Sequence, residues 1–231
     1  MPNLKLRQIS QSVKKVLRKN QGLIQPVIKF NNNKPVIFNL SRTNTRLKRF
    51  LRSKNGLDSY INAKLKTGDR IGVGLYDEDR EIYRRSSLFD ANTEPRTVHL
   101  GMDLIIPAYT EVFAPLDARV HSFQNNNQFG DYGPTIILEH NFDDIKFYTL
   151  YGHLSLSSLR DIKKNQKIRA GERIATIGKK SENGGWFEHL HFQIIIDMFG
   201  KEGDYPGVAK KSERDYYLTL CPDPNLILQV L

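Results

Sequence analysis

Four of the six histidines fall in three short segments: His99-Leu-Gly-Met-Asp103, Gly152-His153-Leu154 and His189-Leu-His191. Imidazole nitrogens and a carboxylate oxygen suit Zn2+ in a tetrahedral site. Iron in a two-histidine, one-carboxylate arrangement is the chemical rival. Three protein ligands leave a fourth position for water, whose pKa zinc lowers to about 7. Four histidines and one aspartate exceed what such a site needs, and the surplus imidazoles suit proton transfer to a leaving amine. The residue types therefore point to metal-assisted hydrolysis of an amide. His121 and His140 lack ligand spacing and read as structural.

These side chains need elements that aim them together. Glu188-His-Leu-His-Phe-Gln-Ile-Ile-Ile reads as a strand, in which residues i and i+2 share a face. His189 and His191 then look into one groove with Cα atoms ~6.6 Å apart, so that one can hold a metal while its neighbour stands beside it. Leu190 and Phe192 turn to the core. His99 and Asp103 also share strand parity, but a straight strand would separate them by ~13 Å. A common metal site therefore requires a bend between them, expected at Gly101.

Beyond about residue 68, short Val, Ile, Tyr and Phe segments alternate with turn residues. Residues 71–76, 104–106, 111–113, 119–123, 135–140, 147–151, 173–177 and 189–196 are expected strands. Frequent turns between short strands predict a mainly β domain, an antiparallel sandwich or barrel-like core. Polar loops are expected at 124–133 and 181–185, and Gly184-Gly-Trp186 is a candidate groove wall. Leu6, Ile9, Val13, Val16 and Leu17 recur at helical spacing and predict an amphipathic helix over 4–19. A turn is expected at 31–35, and a second, basic helix over 43–57 that ends at Asn55-Gly56. The expected division is a basic, partly helical region, 1–66, and a β domain, 67–231.

The net charge of +10 is unevenly placed: residues 1–66 carry sixteen Lys/Arg against one acid, Asp58. An anionic partner at this end is one reading, a solvated or interdomain surface the other. No nucleic-acid motif accompanies the charge, so nucleic acid is not the expected partner. The single cysteine, Cys221, excludes an intrachain disulfide and reads as a buried small hydrophobe. No apolar run approaches the ~20 residues of a membrane span, and the N-terminus lacks a standard secretory signal. A cytoplasmic protein is expected unless another route exports it.

The motifs His99-Leu-Gly-Met-Asp103, Tyr151-Gly-His153-Leu, Arg169-Ala-Gly171-Glu-Arg-Ile-Ala-Thr-Ile-Gly178 and His189-Leu-His191-Phe-Gln, in this order over about 95–200, resemble the lysostaphin-type zinc metallopeptidases of family M23. The resemblance implies zinc held by His99, Asp103 and His191, with His153 and His189 assisting catalysis. It implies cleavage of a peptide bond, usually in the peptide bridges of peptidoglycan, on a lysostaphin-type β core. Ala118 replaces a glycine of many members, Glu188 replaces the usual proline before His189, and no tyrosine stands in 93–98. Tyr148, Tyr151 or Arg96 are candidate substitutes for that tyrosine. Asp204-Tyr-Pro-Gly207 and Leu220-Cys-Pro-Asp-Pro-Asn225 resemble a narrower branch, found inside chains fused to kinase-like and aminotransferase domains. A zinc metalloendopeptidase is the expectation. A non-catalytic module on the same fold and a cytosolic metal-dependent amidase are the rivals.

Overall fold

The computed structural model describes residues 3–30, 34–65, 70–85, 88–89 and 94–231. The expected turn at 31–35 and the expected division between 66 and 67 fall largely outside them. In chain order the regular elements are α1 (Leu4–Lys19), β1 (Val36–Phe38), α2 (Thr45–Phe50), α3 (Gly56–Lys64), β2 (Gly72–Gly74), β3 (Arg96–His99), β4 (Met102–Ile105), β5 (Glu111–Phe113), β6 (Ala118–Asn126), β7 (Gly133–Phe142) and β8 (Ile145–Gly152). They continue with β9 (Lys167–Ile168), β10 (Arg173–Thr176), β11 (His189–Ile195), β12 (Val208–Lys210), α4 (Arg214–Leu220) and α5 (Asn225–Leu228). The molecule is mainly β, as its short alternating segments predict. No helix among the described residues is long and apolar enough to cross a membrane.

One large sheet runs in the order β1-β2-β4-β11-β8-β7-β6-β9. Its pairings are antiparallel except β1 with β2. β5 pairs with β10, and β3 with β12, in two small sheets. β11 lies between β4 and β8, and every residue of it is buried. Leu190, Phe192 and Ile194 face a core shared with Ile136, Leu138 and Tyr151. The opposite face carries His189, His191 and Gln193. Phe192 is fully buried, so truncation to Ala would cost about 3–5 kcal/mol.

α1 forms because its apolar residues make one stripe and its ends are capped. Leu6, Val13, Val16 and Leu17 are buried, and the Asn3 side chain accepts a hydrogen bond from the Leu6 amide. The stripe joins the same core as the sheet. The single helix expected over 43–57 is instead two, α2 and α3. Asn55-Gly56 starts the second rather than ending the first. A Cβ on residue 56 would lie 1.8 Å from the Phe50 carbonyl oxygen, so glycine alone lets α3 begin against the end of α2.

The two histidines outside the motifs have structural surroundings. His121 sits where the β6–β7 register slips and bonds the Ser122 hydroxyl. His140 is fully buried on β7, with Nδ1 3.1 Å from the Asp117 carbonyl and Nε2 2.7 Å from the Thr149 hydroxyl. Burial pushes its pKa down to about 4. The unfolded chain, with a histidine pKa of about 6.5, therefore takes the proton first as pH falls. Stability from neutral His140 is whole above about pH 6.5 and drains away toward pH 4. His140→Gln should remove about 3 kcal/mol of the stability lost between pH 7.5 and pH 4, relative to wild type. Urea unfolding of both proteins at the two pH values checks this, and parallel losses would contradict it.

Candidate metal centre

The chain bends between β3 and β4, at Leu100-Gly101, and the bend brings His99 and Asp103 together. His99 Nε2 lies 3.3 Å from Asp103 Oδ1. Register then supplies the third group, because His191 of β11 pairs with Asp103 of β4. His191 Nδ1 stands 3.3 Å from Asp103 Oδ1 and 3.0 Å from His99 Nε2. A Cβ on residue 101 would lie 2.5 Å from His191 Cε1, so only glycine admits the ring there.

The outer hydrogen bonds fix which ring atoms carry hydrogen. Gln193 Nε2 donates to the Pro206 carbonyl at 3.1 Å, which turns Gln193 Oε1 toward His191 Nε2 at 3.0 Å. Nε2 must then be the protonated nitrogen, and His191 Nδ1 is bare. His99 Nδ1 faces the Leu75 carbonyl at 2.9 Å, so it donates and His99 Nε2 is bare. Two lone pairs thus point at each other across 3.0 Å, and Asp103 Oδ1 beside them is buried without a hydrogen-bond partner. Such an arrangement calls for a cation in the middle. Donors 3.0–3.3 Å apart match the edge, about 3.3 Å, of a tetrahedron with ~2.0–2.1 Å bonds.

The other Asp103 oxygen is taken. Arg80, 1% exposed, gives Nη1 to Asp103 Oδ2 at 2.5 Å, Nε to Glu78 Oε2 at 3.0 Å and Nη2 to the Leu75 carbonyl at 3.2 Å. Burial would raise the Asp103 carboxyl, but His99 and Arg80 hold it well below the usual carboxylate range. Burial, reinforced by Arg80, pushes His99 down to about 4. The centre therefore holds Asp103 as a carboxylate and His99 as a neutral imidazole, the protonation states that metal ligands need.

His153 and His189 lie beside this trio. His189 Nε2 is 3.8 Å from Asp103 Oδ1, and its Nδ1 donates to the Phe187 carbonyl at 2.7 Å. His153 occupies the left-handed region at φ 63°, held by its amide on the Tyr132 carbonyl and by Gly178 on its own carbonyl. That turn aims the ring inward, with Nδ1 2.8 Å from the Asn183 carbonyl and the ring centre 4.1 Å from that of His189. Both imidazoles thus present a bare Nε2. Burial lowers the pKa of each, and the two depart from the ordinary value in the same direction.

A cleft of about 210 Å³ opens over these residues, walled by Tyr83, Tyr132, Trp186, Asp131, Asp204 and Arg96 among others. Of the three candidate substitutes for the missing tyrosine, two lie elsewhere. Tyr151 packs on Phe192 in the core and Tyr148 on His121, whereas Arg96 lines the cleft. Tyr83, Tyr132 and Tyr205 are the tyrosines that line it; Tyr83 and Tyr132 have no spacing that marks them in the sequence, whereas Tyr205 stands in Asp204-Tyr-Pro-Gly207. Arg80 and Glu78 are equally hidden in Asp77-Glu-Asp-Arg-Glu81, a run with the look of solvated surface. Cys221 is buried, as expected, and accepts from Gln193 Nε2 at 3.1 Å.

Residues 97–203 match the family model described as peptidase family M23. Over these residues the chain is similar to the M23 peptidases. The chain is 31% identical over 137 residues to an uncharacterized metalloprotease of Haemophilus influenzae, covering 56% of this chain and 26% of that protein. The chain thus spans about a quarter of that relative's length. Among solved structures, a zinc-containing peptidase from Vibrio cholerae is 26% identical over 42% of this chain and 27% of its own, with a TM-score of 0.34. The catalytic domain of the antimicrobial peptidase lysostaphin from Staphylococcus simulans is 21% identical over 52% of this chain and 80% of its own, with a TM-score of 0.37.

Gln193 offers a direct test of the centre. Gln193→Leu should weaken binding of a divalent metal by about 10–100-fold, because His191 loses the acceptor that fixes its tautomer. Competition with a chromogenic chelator measures it, and unchanged affinity would contradict the assignment.

Proposed function

We propose that the protein is a zinc-dependent metalloendopeptidase that hydrolyses a peptide amide bond, in peptidoglycan cross-bridges or a similar short peptide. The observation that carries this reading is the convergence of two bare imidazole nitrogens and one bare carboxylate oxygen beside two further imidazoles with bare Nε2 atoms. His99 Nε2, Asp103 Oδ1 and His191 Nδ1 would hold the ion. When bound there, zinc supplies a Lewis acid that polarises the scissile carbonyl and makes water acidic enough to react near neutral pH.

The chain's own residues do the rest. His189, nearest to Asp103 and neutral through burial, accepts the proton of the attacking water at Nε2 and returns it to the leaving amine. His153 is likewise an acceptor at Nε2, so it orients that water through its second hydrogen. Tyr83 accepts a hydrogen bond from Arg80 Nη1 at 3.1 Å, which leaves its own hydroxyl hydrogen for the cleft. It donates that hydrogen to the oxyanion that develops on the scissile carbonyl. Burial raises the Tyr83 pKa, so the donor stays protonated.

Zinc-loaded protein should release new amines from oligoglycine or cross-linked wall peptides. His189→Ala and His153→Ala should abolish turnover while retaining stoichiometric zinc, and Tyr83→Phe should lower kcat by about 10²–10³. Amine release and zinc analysis on the same samples check both. Full zinc occupancy with no amide cleaved by wild type would favour a binding module instead, and zinc loss in His189→Ala would move that residue into the ligand set.

A further inference from the structure

The cleft over the metal centre does not end at Trp186. A second hollow of about 450 Å³ adjoins it, and the two share Ile82, Gly130, Trp186 and Phe187 as walls. Its far side is built by residues outside the M23 match: Leu51, Lys54, Asn55, Leu57 and Asp58, from the segment linking α2 to α3 and the start of α3. Phe129, 76% exposed and resting over Gly185, completes the rim. The floor is apolar and aromatic.

Cations dominate the stretch of chain that builds the far side of this hollow. Arg46, Lys48, Arg49, Arg52 and Lys54 follow one another along α2 and the turn after it, and all five are exposed. None lies within ion-pair distance of a carboxylate of the described residues. The one acid at the rim, Asp58, is already paired with Lys180 at 2.5 Å. α2 itself is anchored through Leu47, fully buried against Phe38, Leu40 and Tyr60. The cations are therefore held on a fixed element next to the cleft rather than scattered along a loose tail.

We propose that this hollow is a substrate subsite for an acidic peptide segment: an apolar side chain seats between Leu57, Phe129 and Trp186, and adjacent carboxylates meet Arg52 and Lys54. The inference rests on the endopeptidase reading for its meaning, since it names what the substrate carries beside the scissile bond. Continuity with the cleft and an apolar floor favour a peptide over nucleic acid, for which the described residues set no stacked row of aromatic platforms along the basic face. Facing cations also raise the encounter rate with an anionic chain and weaken as salt is added.

The single tryptophan reports on the site directly, because Trp186 forms the shared wall. The test uses the full chain carrying His189→Ala, in zinc-containing buffer, so that peptide is not consumed. A capped hexapeptide of glutamates around one leucine is titrated while Trp186 fluorescence is followed, then its lysine counterpart, then a single-stranded RNA of equal charge. The acidic peptide should bind about tenfold more tightly than the basic one. Arg52→Glu with Lys54→Glu should erase that preference, and Arg160→Glu with Lys167→Glu, equal in net charge but remote, should preserve it. Equal affinity for the two peptides, no binding of either, insensitivity to the Arg52/Lys54 reversal, or tighter binding of the RNA would each overturn the subsite. Amide cleavage is measured separately on wild type, so a peptide that binds as expected but is never cut counts against the hydrolase reading alone.

Discussion

The divided carboxylate of Asp103 is the interaction on which the site depends. One oxygen is occupied by the Arg80 guanidinium and the other is left bare between two bare imidazole nitrogens. Arg80 is itself a buried charge, balanced by Asp103 and Glu78, and removing any one partner would strand the others at a cost of about 3–5 kcal/mol. Glu78 in turn accepts the Leu40 amide, so the network reaches from the metal centre into the N-terminal part of the chain. The division of labour keeps Asp103 from turning both oxygens toward an ion, and keeps it charged in an interior that would otherwise favour its neutral form.

The sheet converts this local chemistry into geometry. β11 lies at its centre, buried on both faces, with one face for packing and the other for His189, His191 and Gln193. β4 on one side brings Asp103 and β8 on the other brings the turn that carries His153. Small shifts of register would separate the donors by a whole residue spacing, so the core packing of Leu190, Phe192 and Ile194 specifies the candidate metal centre as surely as His99, Asp103 and His191 do. The N-terminal stretch belongs to the same assembly: β1 extends the sheet, α1 closes its core, and α2 and α3 lengthen the cleft.

What could be read in the sequence follows from physical range. Strand alternation placed His189 and His191 on one face, and the impossibility of a straight strand between His99 and Asp103 located the bend at Gly101. These are local constraints, set within five residues. Arg80, Glu78, Tyr83, Tyr132 and Gln193 act through partners brought together by strand pairing, and their own neighbourhoods look like surface runs and loops. Arg80 illustrates the difficulty: its burial makes sense only once Asp103 is known to face it. The split of the expected basic helix escaped for a similar reason, since the glycine at 56 is explained by the carbonyl of Phe50 that it touches in the fold.

Which atoms would hold the ion is the decisive property of the site. X-ray absorption or anomalous diffraction on zinc-loaded protein would read this directly. The tautomers fixed by Leu75 and Gln193 predict one zinc at ~2.0–2.2 Å from His99 Nε2, Asp103 Oδ1 and His191 Nδ1, with the Gln193 bond to His191 Nε2 intact. Zinc bound through His191 Nε2, or bound away from Asp103, would contradict it.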